Sequence, residues 1–126
     1  MDNKADLIGI APLLVVNDVV KTAEYYRDVL GFEIIGYFPD PPLYAMVKRD
    51  NFQIHFAKSD GGDIKTNEAF RKAISDFIIW VPEIDRFYEE LVSRNADIVE
   101  GIVQRVYGNR EFVVRDCNGF KILVCD

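Results

Sequence analysis

The 126-residue sequence has few of the residues from which metal sites and disulfide frameworks are built. It contains one histidine and only two cysteines, Cys117 and Cys125. The cysteines show neither the C-x-x-C spacing of metal and redox motifs nor the number that a disulfide framework needs. With a single histidine, the chain alone cannot supply a two-histidine metal site or an assignable Ser-His-Asp triad. These absences favour a reduced chain in the cytoplasm.

Long apolar runs and an excess of positive charge are absent as well. No window approaches the roughly 18 uninterrupted apolar residues of a membrane span, and residues 1–6 are too polar and acidic for a signal peptide. The 15 Lys and Arg against 21 Asp and Glu give a net charge of −6. Nucleic acids and anionic membranes are bound through Lys and Arg, so neither is an expected partner. The same balance mildly favours a cationic ligand.

The rest of the composition is that of an ordinary globular protein, with 49% hydrophobic and 29% charged residues. A chain of this length is expected to form one domain over residues 1–126, because two separate cores would each be marginally stable. Neither a GxGxxG motif nor a P-loop is present, so no nucleotide cofactor is predicted.

The pattern of apolar residues predicts one arrangement, strand-helix-strand-strand-strand, used twice. The first module covers about residues 7–58, a polar connection covers 59–73, and the second module covers about 74–126. Asp18 is a suitable N-cap for the first helix, and Gly31 is suited to end it. The predicted strands are residues 7–16, 32–38, 43–48, 51–57, 74–81, 97–103, 111–115 and 120–125. This order predicts an α+β fold made of two tandem βαβββ modules.

Two stretches resemble the glyoxalase, bleomycin-resistance and extradiol-dioxygenase superfamily, also called the vicinal oxygen chelate proteins. One is LVVND at residues 14–18 running into YYRDVLGF at 25–32. The other is REFVVRDCNGF at 110–120, which is similar to the family's closing hairpin, with Cys117 and Asn118 replacing the usual Pro and Asp. The resemblance spans essentially the whole chain. It implies curled mixed sheets around a cavity, with the helices outside.

Enzymes of this superfamily hold a divalent metal through His and Glu side chains from four strands. The resemblance places those four positions on Ala11, His55, Asp76 and Leu123. Ala11 and Leu123 have no donor atom, whereas a catalytic metal generally needs three protein ligands and an open position. The resemblance therefore implies a protein without a metal cofactor. The alternative is an atypical site whose third ligand comes from another strand or a second chain.

Strand alternation separates a core face from a face that has the character of a ligand site. Three apolar rows are expected under the helices: Phe52, Ile54 and Phe56; Phe77, Ile79 and Val81; Phe120, Ile122 and Val124. The opposite rows are Gln53, His55 and Ala57; Asp76, Ile78 and Trp80; Lys121, Leu123 and Cys125. This second face mixes apolar, aromatic and charged side chains, as ligand sites do.

The candidate ligand-binding residues are Phe38, Tyr44, Gln53, His55, Asp76, Trp80 and Arg110. Most of them also have a purely structural interpretation. His55 is either a ligand contact or a half-buried hydrogen-bonding residue, Asp76 either a binding residue or a strand cap, and Trp80 either a cavity residue or a core aromatic.

The remaining candidates lie near loops. Phe38 and Tyr44 either stack on a planar ligand or hold the Pro-rich segment 39–42 in place. Arg110 closes the segment 107–110, which is either a rim loop with a ligand-facing arginine or a plain turn with a surface ion pair.

The predicted function is that of a metal-free small-molecule binding protein of the bleomycin-resistance type. In that branch the resemblance implies a homodimer that sequesters an antibiotic or similar compound without altering it, and NFQIHF at residues 51–56 is similar to the branch. A cationic aromatic compound suits the acidic chain. The alternative is an enzyme, either a lyase or dioxygenase with an atypical metal site or one that uses His55 as a general base. A third possibility is a domain with an unrelated ligand.

Overall fold

A computed structural model describes residues 3–126; Met1 and Asp2, part of the segment judged too polar for a signal peptide, lie outside the described residues. The elements follow the predicted order of two βαβββ modules, and the predicted α+β class is confirmed. They are β1 (Leu13–Val16), α1 (Val19–Asp28), β2 (Glu33–Phe38), β3 (Tyr44–Arg49), β4 (Phe52–Lys58), β5 (Phe77–Trp80), α2 (Ile84–Ser93), β6 (Asp97–Gln104), β7 (Arg110–Arg115) and β8 (Lys121–Cys125). A short 3-10 turn, Asn67–Ala69, interrupts the connection between the modules. No helix within residues 3–126 is long and apolar enough to cross a membrane.

Each module forms its own four-stranded mixed sheet, and the two sheets have the same strand order. The first sheet runs β1-β4-β3-β2 and the second runs β5-β8-β7-β6. In each sheet the first strand pairs parallel with the last, while the other pairs are antiparallel. Each helix therefore carries the chain from one edge of its sheet to the other.

One cluster of buried side chains joins both modules. It contains Tyr26 from α1 and Phe56 from β4 together with Leu91 from α2 and Phe112 from β7. The rings of Tyr26 and Phe56 are 4.9 Å apart between centroids. Burying one side chain of this size contributes about 1.5–3 kcal/mol. The helix-facing side of both sheets is thus turned toward a shared core, and the opposite side of each sheet faces away from it.

The predicted ends of α1 are confirmed. Asp18 is the N-cap, and its Oδ1 accepts a hydrogen bond from the backbone N–H of Lys21 at 3.0 Å. Gly31 follows the helix with φ +77°, and a Cβ there would lie 2.5 Å from Arg49 Nη1. The left-handed backbone therefore favours glycine at this position, and a larger residue would also displace the end of the Arg49 side chain.

Three expectations about the strands are wrong. The strand predicted for residues 74–81 forms only at Phe77–Trp80. The strand predicted for residues 7–16 forms only at Leu13–Val16, and Leu7 is 89% exposed. Pro12, which precedes β1, has no N–H to donate to a ladder, and no strand within the described residues 3–126 pairs with residues 7–10. Phe52, expected in a core row, is 75% exposed because it is the first residue of β4 and lies at the hairpin turn opposite Arg49.

Candidate ligand-binding site

The faces of the two sheets that point away from the helices carry exposed apolar side chains. We call them the open faces. The first is formed by Leu13, Val15, Tyr44, Met46, Gln53 and His55, and the second by Ile78, Trp80, Glu111, Val113, Leu123 and Cys125. Trp80 is 66% exposed, whereas its neighbour Ile79 packs against the core. The alternation predicted for β5 is therefore the one observed.

Three predicted residues form a hydrogen-bonded group on the first open face. The Tyr44 hydroxyl lies 2.6 Å from His55 Nδ1, and His55 Nε2 lies 2.7 Å from Gln53 Oε1. The Tyr44 and His55 rings meet edge to face, with centroids 5.4 Å apart. Because an amide oxygen only accepts, His55 Nε2 carries a proton and donates it to Gln53 Oε1. Both ring nitrogens of His55 are thus hydrogen-bonded.

Phe38 lies beside this group at the end of β2. Its backbone pairs with that of Tyr44, and its ring is exposed. With Pro39 and Pro42 it lines a shallow hollow of about 510 Å³. The structure therefore brings four of the seven predicted residues to one face of the first sheet, from Phe38 and Tyr44 at one end of the strands to Gln53 beside the β3-β4 turn.

A polar group that sequence analysis did not identify lies on the second open face, around Glu111. This side chain is almost fully buried, at 3% exposure. Its Oε1 accepts hydrogen bonds from Arg105 Nε, at 2.9 Å, and from the Tyr107 hydroxyl, and its Oε2 accepts one from the Cys125 thiol, at 3.5 Å. Burial opposes ionisation of Glu111, but the hydrogen bonds from Tyr107, Arg105 and Cys125 outweigh it and lower its pKa. The carboxylate is therefore charged at neutral pH.

The sequence did contain a signal for Glu111. It alternates with Phe112 in β7 and so lies on the face opposite the core. No sequence pattern indicated its partner Arg105. Arg105 follows β6 and reaches Glu111 through the 105–109 turn, outside the alternation of any strand.

Asp76 and Arg110 are engaged in structural contacts. Asp76 Oδ1 accepts from the Asn67 backbone N–H at 2.7 Å and Oδ2 from that of Lys121 at 2.8 Å, which ties the connection to β8. The Arg110 guanidinium lies on the helix side of β7, where it pairs with Asp85 at 2.8 Å and Asp126 at 3.4 Å. The structure does not bring Arg110 to an open face.

The family that the sequence resembles holds its divalent metal at four positions. In this structure, the residues at those positions do not provide a set of donor atoms for such a metal. Ala11 precedes β1, and the register partner of His55 is the apolar Leu13. Leu123 offers no donor, both His55 nitrogens are hydrogen-bonded, and both Asp76 oxygens accept from backbone amides. Within residues 3–126, no group of three or more His, Cys, Asp and Glu side chains is placed to hold a metal ion.

The chain belongs to the Glyoxalase/Bleomycin resistance protein/Dioxygenase superfamily, whose family model matches residues 9–124. The resemblance found in the sequence is thereby confirmed. No match was found among curated proteins.

Solved structures similar to this chain include a resistance determinant, a binding protein and an enzyme. The bleomycin resistance determinant encoded on transposon Tn5 is 17% identical, with a TM-score of 0.75 over 95% of this chain and 98% of that one. The bleomycin-binding protein of Streptomyces verticillus, complexed with copper(II)-bleomycin, is 22% identical, with a TM-score of 0.71 over 96% and 97%. A glyoxalase-related enzyme from Clostridium phytofermentans is 15% identical, with a TM-score of 0.77 over 98% of both chains. At these identities the likeness establishes the fold alone.

Proposed function

We propose that this protein binds a small molecule on its open faces without a metal ion and without altering the molecule. The observation that carries the proposal is the exposure of Trp80 and its apolar neighbours on a face that turns away from the core. Contiguous exposed apolar surface usually marks a binding site. The Tyr44-His55-Gln53 group supplies the few polar atoms that orient a ligand in such a site.

The ligand we propose is an antibiotic of the bleomycin type or a related cationic aromatic compound. Two structurally similar proteins are named for bleomycin binding or resistance. The net charge of −6 attracts cations, and the exposed Trp80 and Phe38 rings offer stacking worth about 0.5–1.5 kcal/mol per aromatic pair. The metal-dependent lyase or dioxygenase alternative has no support in the donor atoms described above.

We further propose that the working form is a homodimer. A single chain leaves both open faces uncovered, because the helix sides of its sheets share one core. A two-fold axis that brings the first open face of one copy against the second open face of its partner would create two equal cavities. The exposed apolar segment 7–10, which adjoins the edge strand β1, offers further surface for a second copy. Two free cysteines fit the reducing cytoplasm.

Calorimetric titration with metal-free bleomycin tests the binding proposal. We expect binding in the wild type and about tenfold weaker binding in Trp80→Ala, since a lost stacking surface costs about 1–3 kcal/mol. Phe52→Ala is the matched control, because Phe52 is also an exposed strand aromatic but lies on the opposite face of its sheet. Mass spectrometry should recover the bleomycin unchanged. Absence of binding, or equal loss in the two variants, would contradict the proposal.

Two measurements on the purified protein test its other parts. Light scattering should give twice the 14.5 kDa monomer mass at micromolar concentration; the monomer mass itself would exclude the dimer. Native mass spectrometry and elemental analysis should find no stoichiometric metal. One Ni, Zn, Fe or Mn per chain, lost in His55→Ala, would overturn the metal-free proposal.

A further inference from the structure

We infer that the second open face selects a positively charged ligand. The charge is recognised by an ion-pair bridge, Glu100-Arg105-Glu111, in which the arginine contacts both glutamates. The ligand class is a flat aromatic monocation such as an aryl amidine. This inference rests on the proposed function, because it assigns the charged end of the ligand to the face that carries Trp80.

The bridge carries one uncompensated negative charge. The Arg105 guanidinium contacts two carboxylates at once, with Nε 2.9 Å from Glu111 Oε1 and Nη2 2.5 Å from Glu100 Oε1. One positive and two negative charges leave a net charge of −1. A single further cation would neutralise it.

The bridge also retains unused acceptor capacity. Arg105 engages only the Oε1 atom of each carboxylate, and an ionised carboxylate has about four lone-pair positions. The Glu111 side chain is almost fully buried, whereas that of Glu100 is 42% exposed. The N–H groups of an amidinium can therefore reach the Glu100 carboxylate, and charge-assisted hydrogen bonds of this kind are strong.

An aromatic surface lies in the same row of the sheet. Trp80 is the register partner of Cys125, and Cys125 is the register partner of Glu111. Neighbouring strands are about 4.8 Å apart, so the Cα atoms of Trp80 and Glu111 are about 10 Å apart. That span suits a bicyclic aromatic group with a cationic substituent, the ring lying against Trp80 and the charge against the bridge.

The other end of this face also carries carboxylates, but their oxygens are engaged differently. Lys121 pairs with Glu68 at 2.7 Å, and Arg115 pairs with Asp97 at 3.3 Å. The third carboxylate there, Asp76, accepts a backbone N–H group at each of its two oxygens. The Glu100-Arg105-Glu111 bridge therefore differs from the other end in placing two carboxylates on a single guanidinium.

A pair of compounds equal in shape but not in charge tests the inference, namely 2-naphthamidine and the neutral 2-naphthamide. Calorimetry on the wild type should show the amidine binding about tenfold tighter, the effect of one charged hydrogen-bonding group. Glu100→Gln should abolish this preference, and Arg105→Gln should increase it. Glu68→Gln is the matched control, because its side chain is 43% exposed against 42% for Glu100, and it should keep the preference.

The outcomes separate the inference from the proposed function. Equal binding of both compounds to the wild type, with both weakened in Trp80→Ala, would overturn charge selection and leave small-molecule binding on the open face standing. Equal effects of Glu100→Gln and Glu68→Gln would also overturn it, because the preference would then reflect overall charge. Failure of both compounds to bind would count against the inference and against the proposed function together.

Discussion

The Tyr26 hydroxyl of α1 donates a 2.7 Å hydrogen bond to Asp116 Oδ2 in the turn between β7 and β8, and both groups are buried. The other oxygen of Asp116 accepts the backbone N–H groups of Asn118 and Phe120. This contact joins the helix of the first module to the closing hairpin of the second. The two stretches that carried the family resemblance are therefore in direct contact in the fold.

Tyr26→Phe should destabilise the protein by about 1–3 kcal/mol, the cost of leaving a buried acceptor without a donor. Burial raises the pKa of Asp116, and the hydrogen bond from Tyr26 opposes that rise. Tyr25→Phe is the control, because its hydroxyl makes a 3.3 Å bond to the Arg115 carbonyl at a less buried position, and it should cost less. Urea unfolding measures both losses. Equal losses of unfolding free energy in the two variants would show that the Tyr26-Asp116 hydrogen bond contributes no more than the Tyr25 hydrogen bond.

The ion pair between Arg49 and Glu90 should make stability depend on acid pH. Hydrogen bonds from the Arg49 guanidinium, at 2.7 and 2.8 Å, lower the pKa of Glu90. A carboxyl whose pKa is lowered in the folded state contributes stability above its unfolded value, about 4.3, and loses it as the pH falls through the folded value. The stability difference between wild type and Glu90→Gln should therefore be present at pH 7 and shrink below about pH 4. A difference that stays constant from pH 7 to pH 3 would contradict this assignment.

The Tyr44-His55-Gln53 group predicts a defined tautomer. In its neutral form the His55 ring should carry its proton on Nε2, because Gln53 Oε1 accepts there and the Tyr44 hydroxyl can donate to Nδ1. Long-range proton-nitrogen NMR spectra distinguish the two ring nitrogens. The pattern should remain unchanged when zinc or nickel is added, since neither nitrogen has a free lone pair. A proton on Nδ1, or metal-induced shifts of His55, would show that the group is arranged differently.

The sequence was sufficient to predict the order of the elements and the faces of β5, because strand alternation and helix caps are local properties. Trp80 was correctly placed opposite the core for this reason. Contacts between strands depend on register and on how loops return, which local patterns do not specify. The bond between Tyr44 and His55 and the bridge from Arg105 to Glu111 were therefore not predicted. The strand predicted over residues 7–16 was too long because apolar composition does not show whether a partner strand lies alongside.

Trp80 is the only tryptophan and provides a direct test of the open face. Its exposure predicts strong quenching of intrinsic fluorescence by acrylamide. Trp80→Ala should unfold in urea much as the wild type does, whereas Phe112→Ala, at a fully buried position, should lose about 3–5 kcal/mol. Unquenchable blue emission together with a poorly folded Trp80→Ala would show that the two faces of the second sheet are exchanged.

The two cysteines should differ in their reactivity. Burial, and then the neighbouring Glu111, raises the pKa of Cys125 to about 11, and partial burial of its sulfur followed by the nearby Asp116 raises the pKa of Cys117 to about 11. Since only the thiolate reacts quickly, both should alkylate slowly with iodoacetamide at pH 7. As the pH rises, labelling should increase first at the exposed Cys117, whereas the buried Cys125 should react only when the protein opens. Mass spectrometry of the labelled peptides measures the two rates, with urea-unfolded protein as the reference in which both react alike. Faster labelling of Cys125 than of Cys117 in the folded protein would mean that the second open face admits solvent to Cys125, and the buried position of Glu111 beside it would have to be abandoned.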